Sequence, residues 1–219
     1  MPAGDLTHAI QDYLKEIYKL ASDGGRASTS GIADRMGVAQ PSVTAMLKKL
    51  AALGLAEHEP YRGVVLTGKG ERVALEVIRH HRLLEQYLAE TLGLAIDAVH
   101  DEADRLEHAL SEELEARIDE SLGYPTHDPH GDPIPDAALR VESASLTPLA
   151  SLEPGDEATI RRVPDRDGEL LRYLSSLLLV PGSRVKVCAA APLGGPLPVA
   201  VDAEQHAISR EVASLIGVS

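Results

Sequence analysis

Imidazole and carboxylate side chains fall into two spaced sets near the middle of the chain. His81 and Glu85 stand four residues apart, and His100, Asp104, Glu107 and His108 occupy positions i, i+4, i+7 and i+8. On an α-helix these spacings stack side chains on one face. Leu ordinarily fills such positions, so a polar stripe facing a core must be ion-paired, metal-bound or exposed. Imidazole and carboxylate together suit first-row divalent metals. Softer donors are absent from the set, since the single cysteine, Cys188, lies far along the chain and none of the three Met is in the stripe. That donor chemistry favours Mn(II) or Fe(II) over Cu(I). A wet helix face laced with intrahelical ion pairs explains the same residues, and spacing alone leaves both readings open. His80 points about 100° away from His81 on a helix, and His127 and His130 sit in a polar linker and read as surface residues.

The elements that must position these groups follow from charge and periodicity. The formal net charge of −13 argues, as a total, against a nucleic-acid partner. By segment, however, residues 1–70 carry +1, residues 71–140 carry −11 and residues 141–219 carry −3, and six of the nine His lie in the acidic middle. Composition near globular averages, 44% hydrophobic and 25% charged, excludes wholesale disorder. With no Phe or Trp, the core must be built from Leu, Val, Ile and Ala. No apolar run approaches the roughly 18 residues of a membrane span, and Met1-Pro2-Ala3-Gly4-Asp5 has no basic start followed by an apolar stretch. A lone cysteine forms no internal disulfide, so the expected location is the cytoplasm, with no membrane partner.

Leu6, Ile10, Tyr13, Leu14, Ile17, Tyr18 and Leu20 recur at helical spacing until Ser22-Asp23-Gly24-Gly25 stops the pattern. A short helix over 28–37, with a hydroxyl cap and a Gly stop, and a second from Gln40, with Pro41 in its first turn, predict a helix-turn-helix. Two extended arms within 55–67, about a Tyr61-Arg62-Gly63 tip, add the wing of a winged helix. Gln40, Ser42 and Thr44 are then candidates for base edges or phosphates, and Lys48, Lys49 and Arg62 for phosphates. A long helix follows Gly68 to about Thr91, then helices over about 96–108 and 110–122 and a Pro-containing irregular linker over 126–135. Short apolar runs at 158–163, 177–180, 184–189 and 197–201 predict a small β-barrel. The expected domains are 1–70, 71–140 and 141–219, in a mainly α protein with a C-terminal β domain.

Asp12-Tyr13-Leu14-Lys15-Glu16-Ile17-Tyr18, Gln40-Pro41-Ser42-Val43-Thr44, His80-His81-Arg82-Leu83-Leu84-Glu85, the string from Val99 to His108, and the linker His127-Asp128-Pro129-His130-Gly131-Asp132-Pro133-Ile134-Pro135 resemble the diphtheria toxin repressor family of metal-dependent transcriptional regulators. The resemblance covers about residues 5–136 closely and the C-terminal region in outline. It implies a winged helix-turn-helix, a helical dimerisation domain and an SH3-like small barrel. It implies a homodimer that binds double-stranded operator DNA and holds about two Mn(II), or Fe(II), ions per subunit. By position, one site takes Asp12, Asp104, Glu107 and His108. The other takes His81, Glu85 and His100, completed from the SH3-like domain by Asp167 and Glu169. Asp at 12 and 104, where iron-responsive members have Met and Cys, makes the chain similar to the manganese type. Lys15 departs from that type, which has a carboxylate there, and so implies two separate sites rather than one binuclear site.

Two rivals remain at this level. Di-metal enzymes in helical bundles use paired Glu-x-x-His motifs, whereas here Asp104-Arg105-Leu106-Glu107 precedes His108. The chain also lacks a Gly-rich phosphate loop and a His-Glu-x-x-His motif, so an enzyme is not expected. A winged-helix regulator with a non-metal small-molecule effector stays open.

Overall fold

The computed structural model describes residues 6–21, 25–59, 62–142, 145–189, 195–202 and 204–219. Residues 1–5, the 22–24 portion of the first helix stop and Tyr61 of the wing tip lie outside the described residues. The chain divides into two compact units. One comprises residues 1–81, 106–112 and 135–140, and the other residues 82–105, 113–134 and 141–219.

In the first unit, α1 (His8–Ala21) buries Ile10, Tyr13, Leu14 and Ile17, the i, i+3, i+4, i+7 face read from sequence. The short α2 (Thr29–Met36) starts where Ser28 Oγ accepts the Gly31 N–H at 2.9 Å, and it stops at Gly37. The recognition-type helix α3 (Gln40–Ala52) has Pro in its first turn and buries Val43, Leu47 and Leu50. The wing is the antiparallel pair β1 (Ala56–Glu59) and β2 (Gly63–Leu66), with Ala56 opposite Leu66 and a further bridge from Val64 to Ala27. These elements and Val73, Ala74 and Val77 of α4 (Gly68–Glu90) share one apolar core. Each fully buried Leu, Ile or Val in it contributes about 1.5–3 kcal/mol. Among the described residues no helix is long and apolar enough to cross a membrane.

The second unit begins within α4 and contains nearly all of α5 (Val99–Leu106) and α6 (Glu112–Ser121). Its C-terminal part is a six-stranded antiparallel sheet in the order β3 (Thr147–Pro148), β8 (Gly217–Val218), β4 (Glu157–Arg162), β5 (Arg184–Val187), β6 (Leu197–Val201), β7 (Glu204–Ile208). With α7 (Gly168–Ser176) and α8 (Arg210–Leu215), the sheet encloses a core of Leu, Ile and Val. One expected strand is absent: residues 177–180 turn off the end of α7 instead, with Leu178 at φ 58° and Leu179 buried. Continuous apolar residues do not distinguish a buried strand from a buried turn.

The helix expected over 96–108 also differs, because α5 ends at Leu106 and Glu107–Ala109 form a 3-10 turn. A 3-10 turn has about 3.0 residues per turn against 3.6, so the regular helix stops before Glu107 and His108, which sit on a tighter turn.

Close backbone approach fixes two glycines. A Cβ on Gly70 would lie 2.0 Å from the Leu55 carbonyl oxygen, and one on Gly131, which has φ 90°, would lie 1.8 Å from the Arg161 carbonyl oxygen. Gly70→Ala forces the start of α4 away from the wing. It is expected to lower the free energy of unfolding by about 1–3 kcal/mol, measurable as a reduced urea midpoint.

Candidate metal centre

In the first unit, α1 and the 3-10 turn bring Asp12, Glu107 and His108 together with ligand atoms all within 4.8 Å of one another. Nε2 of His108 is 2.9 Å from Asp12 Oδ1 and 3.5 Å from Glu107 Oε1. Nδ1 of the same ring is 2.6 Å from Gln11 Oε1, and the Gln11 amide nitrogen donates to the Leu6 carbonyl at 3.2 Å. That second contact orients the amide, so Nδ1–H is the donor to Gln11 and Nε2 is the ring nitrogen left to face Asp12. The His8 ring stacks on His108 with centroids 4.5 Å apart.

Glu107, 1% exposed, is held from every side. Lys15 Nζ lies 2.6 Å from its Oε1, His81 Nδ1 lies 2.6 Å from its Oε2, and His80 Nδ1 donates to its backbone carbonyl at 3.1 Å. Glu16, adjacent to Lys15, turns the other way and pairs with Arg35 of α2.

A second cluster lies wholly within the second unit. Glu85, Asp128 and His130 are buried, with ligand atoms again within 4.8 Å of one another. Asp128 Oδ1 accepts the N–H groups of His130 and Asp132 at 2.9 and 3.0 Å, which folds the linker into a tight loop. Arg82 lies 3.6 Å from Asp128 Oδ2 and donates to the Pro133 carbonyl. His130 Nε2 reaches the Ile96 carbonyl at 3.0 Å, while its Nδ1 is buried without a hydrogen-bond partner, 3.7 Å from Glu85 Oε2. His100 Nδ1 is 2.9 Å from the other Glu85 oxygen. An orphaned imidazole nitrogen facing two carboxylates is the donor set of a hard or borderline divalent cation.

Burial and neighbouring charge raise the proton affinity of this cluster. Burial first, then the charges of Glu85 and Asp132, push the Asp128 carboxyl up to about 8 against the opposing pull of Arg82 and His130. Burial disfavours the charged imidazole of His130, but Glu85, Asp128 and the Ile96 carbonyl outweigh it and raise the ring to about 9. At 3.7 Å the Glu85 contact acts as charge attraction rather than as a hydrogen bond.

Of the expected ligands, the structure groups Asp12 with Glu107 and His108, and Glu85 with His100. His81 contacts Glu107. Asp104 is half-exposed, 3.8 Å from His100 Nε2. Asp167 caps α7, accepting the Leu170 N–H at 3.0 Å, and Glu169 lies exposed in the first turn of that helix. The expectation that His130 is a surface residue is overturned, since it is 0% exposed; His127 is exposed as expected. Asp128 and His130 escape a reading based on helical spacing because they sit on a loop. The signal available was Gly131 directly after them, where the chain packs backbone to backbone.

Three sequence profiles of known families match the chain. Residues 5–64 match "Iron dependent repressor, N-terminal DNA binding domain", residues 67–136 "Iron dependent repressor, metal binding and dimerisation domain", and residues 147–219 the FeoA domain. The "Iron-dependent repressor IdeR" of Mycobacterium leprae (strain TN) is 31% identical over 227 residues, 98% of each chain. This chain belongs to the iron-dependent repressor family. Among solved structures, a "Manganese-dependent transcriptional repressor complex with manganese" is 40% identical with a TM-score of 0.86, over 95% of this chain and 98% of that one. The "manganese regulator SloR" is 32% identical with a TM-score of 0.78, over 96% and 97%.

In this member of the iron-dependent repressor family, the residues predicted to meet DNA all lie in the winged unit. Gln40, Ser42, Lys48 and Lys49 are exposed on α3, and Arg62 is exposed in the wing, 3.3 Å from Glu59. Thr44 is half-buried, and its hydroxyl returns to the Gln40 carbonyl at 3.1 Å.

At pH 7, below the raised values of both Asp128 and His130, a cation entering the second cluster must displace their protons. Mn(II) titration calorimetry in buffers of different ionisation enthalpy is expected to show about two protons released per ion bound there. Affinity should rise as pH climbs from 7 towards 9, and the proton release should vanish in Asp128→Asn/His130→Ala.

Proposed function

We propose that the protein is a Mn(II)-responsive, or Fe(II)-responsive, repressor that binds operator DNA as a homodimer and, when loaded, silences genes of metal uptake. Asp12, Glu107 and His108 hold one ion, and Glu85, Asp128 and His130 hold the other, with His100 orienting Glu85. The observation that carries this reading is the meeting of Asp12, on the first helix of the winged unit, with Glu107 and His108 on the turn after α5. All six donors are oxygen or imidazole nitrogen, which suits Mn(II) and Fe(II). Relatives named for iron and for manganese both resemble the whole chain.

A bound divalent ion supplies positive charge where the carboxylates otherwise repel one another. Asp12 contributes α1 to the cluster, so loading favours one position of the helix on which α2 and β2 pack. Apparent DNA affinity then rises in proportion to the binding-competent fraction. The candidate DNA contacts fall in the near-neutral segment 1–70, and the −11 belongs to residues 71–140, which carry most of the metal-type donors.

The test is operator binding by purified, chelated protein, using a duplex selected from random sequence with the loaded protein. Titration with Mn(II) or Fe(II) is expected to raise affinity about 100-fold, as a shift from about 1% to nearly full competence requires. Asp12→Ala or His108→Ala should abolish the gain, and no gain with any of Mn(II), Fe(II), Co(II) or Zn(II) would sink the reading. Lys48→Ala and Arg62→Ala should each reduce the salt slope by about 1.

A further inference from the structure

Two arginines share one carboxylate at the wing. Glu59 ends β1; its Oε1 lies 3.2 Å from Arg26 Nη2 and its Oε2 lies 3.3 Å from Arg62 Nη1. Arg26 reaches it because the bridge between Ala27 and Val64 lays this part of the chain along β2. Gly63, opposite Glu59 on β2, leaves the room: a Cβ there would lie 3.3 Å from the Arg26 Cβ. The side chains of Arg26, Glu59 and Arg62 are 33%, 48% and 78% exposed, so water screens both pairs and each is weak. Two guanidinium groups, one on each oxygen of a carboxylate, are equally suited to the two non-bridging oxygens of a phosphodiester.

We propose that Glu59 is an intramolecular stand-in for a DNA phosphate and sets the affinity of the wing for the duplex. In the free protein it occupies Arg26 and Arg62. On DNA a backbone phosphate displaces it, and Arg26 becomes a phosphate contact beside Arg62. The weakness of the pairs permits the exchange, yet their loss makes every duplex bind less tightly than two unoccupied arginines would bind it. Phosphates carry no sequence information, so this penalty falls alike on operator and unrelated DNA and leaves discrimination to contacts with bases. The exchange uses no metal ligand. It rests on the reading of the winged unit as the DNA-binding surface and is independent of the metal response.

Fluorescence anisotropy at one ionic strength, with and without Mn(II), reads binding of the selected operator duplex and of an unrelated duplex of equal length. Glu59→Gln is expected to tighten both about five-fold, which is what the loss of two exposed pairs is worth. Glu57→Gln removes the same charge from an exposed position two residues back on β1 and is expected to do much less. No effect of Glu59→Gln, or equal effects of the two substitutions, overturns the proposal. Arg26→Ala is expected to reduce the salt slope by about 1, as a phosphate contact does, and an unchanged slope overturns its assignment.

Occupancy is separated from simple repulsion in the Arg26→Ala/Arg62→Ala background, where adding Glu59→Gln is expected to change nothing. A gain that persists there shows Glu59 repelling phosphate directly and overturns the stand-in. Operator affinity that does not respond to any metal sinks the metal reading but leaves the Glu59 comparison standing, because that comparison is made at whatever affinity for DNA the protein has. Absence of DNA binding by wild type and every variant overturns both.

Discussion

The buried carboxylate of Glu107 is the constraint on which the first unit turns. It comes off a 3-10 turn rather than a helix, is enclosed, and is met by an ammonium from α1 and an imidazole from α4, with a second imidazole on its backbone carbonyl. Removing one partner of such a buried pair generally costs about 3–5 kcal/mol, so Lys15, His81 and Glu107 are interdependent. The same arrangement carries Asp12 to His108. A chain that must bury Glu107 in this way thereby places the first helix of its winged domain beside two metal-type donors.

The second cluster handles the same electrostatic problem differently. Glu85 and Asp128 meet at His130 with the Arg82 guanidinium 3.6 Å from Asp128, and the proton affinities of Asp128 and His130 are raised despite that fixed charge. Protons are exchangeable where a lysine side chain is not. The two clusters are therefore chemically distinct: in the first a fixed lysine charge pairs with Glu107, and in the second, beside Arg82, Asp128 and His130 hold protons that an entering cation displaces. The acidity of residues 71–140 is in this sense conditional on what the sites hold.

Much of this was legible in the sequence. Period-3.6 apolar spacing predicts α1, the Ser28 cap and Gly37 stop bracket α2, and the extended arms after Gly54 predict the wing, because each depends on neighbours within a few residues. Glu85, Glu107 and His108 stand out as polar groups at helical spacing, whereas Asp12 is marked only by the family resemblance. Asp128 and His130 do not, because a loop has no periodicity to mark its inward side. Residues 177–180 mislead for the converse reason, since their apolar run serves a buried turn.

The sequence by itself determined the winged unit, the donor chemistry and the segregation of charge, all of which follow from residue type and local spacing. Only the tertiary structure decided which donors meet. Glu107 and His108, on the turn after Leu106, meet Asp12 of the first helix, while His100 meets Glu85. The backbone contact at Gly131 turns His130 inward to a carboxylate 45 residues away in sequence. A meeting of elements distant in sequence and a close backbone approach are properties of packing, and no spacing rule contains them.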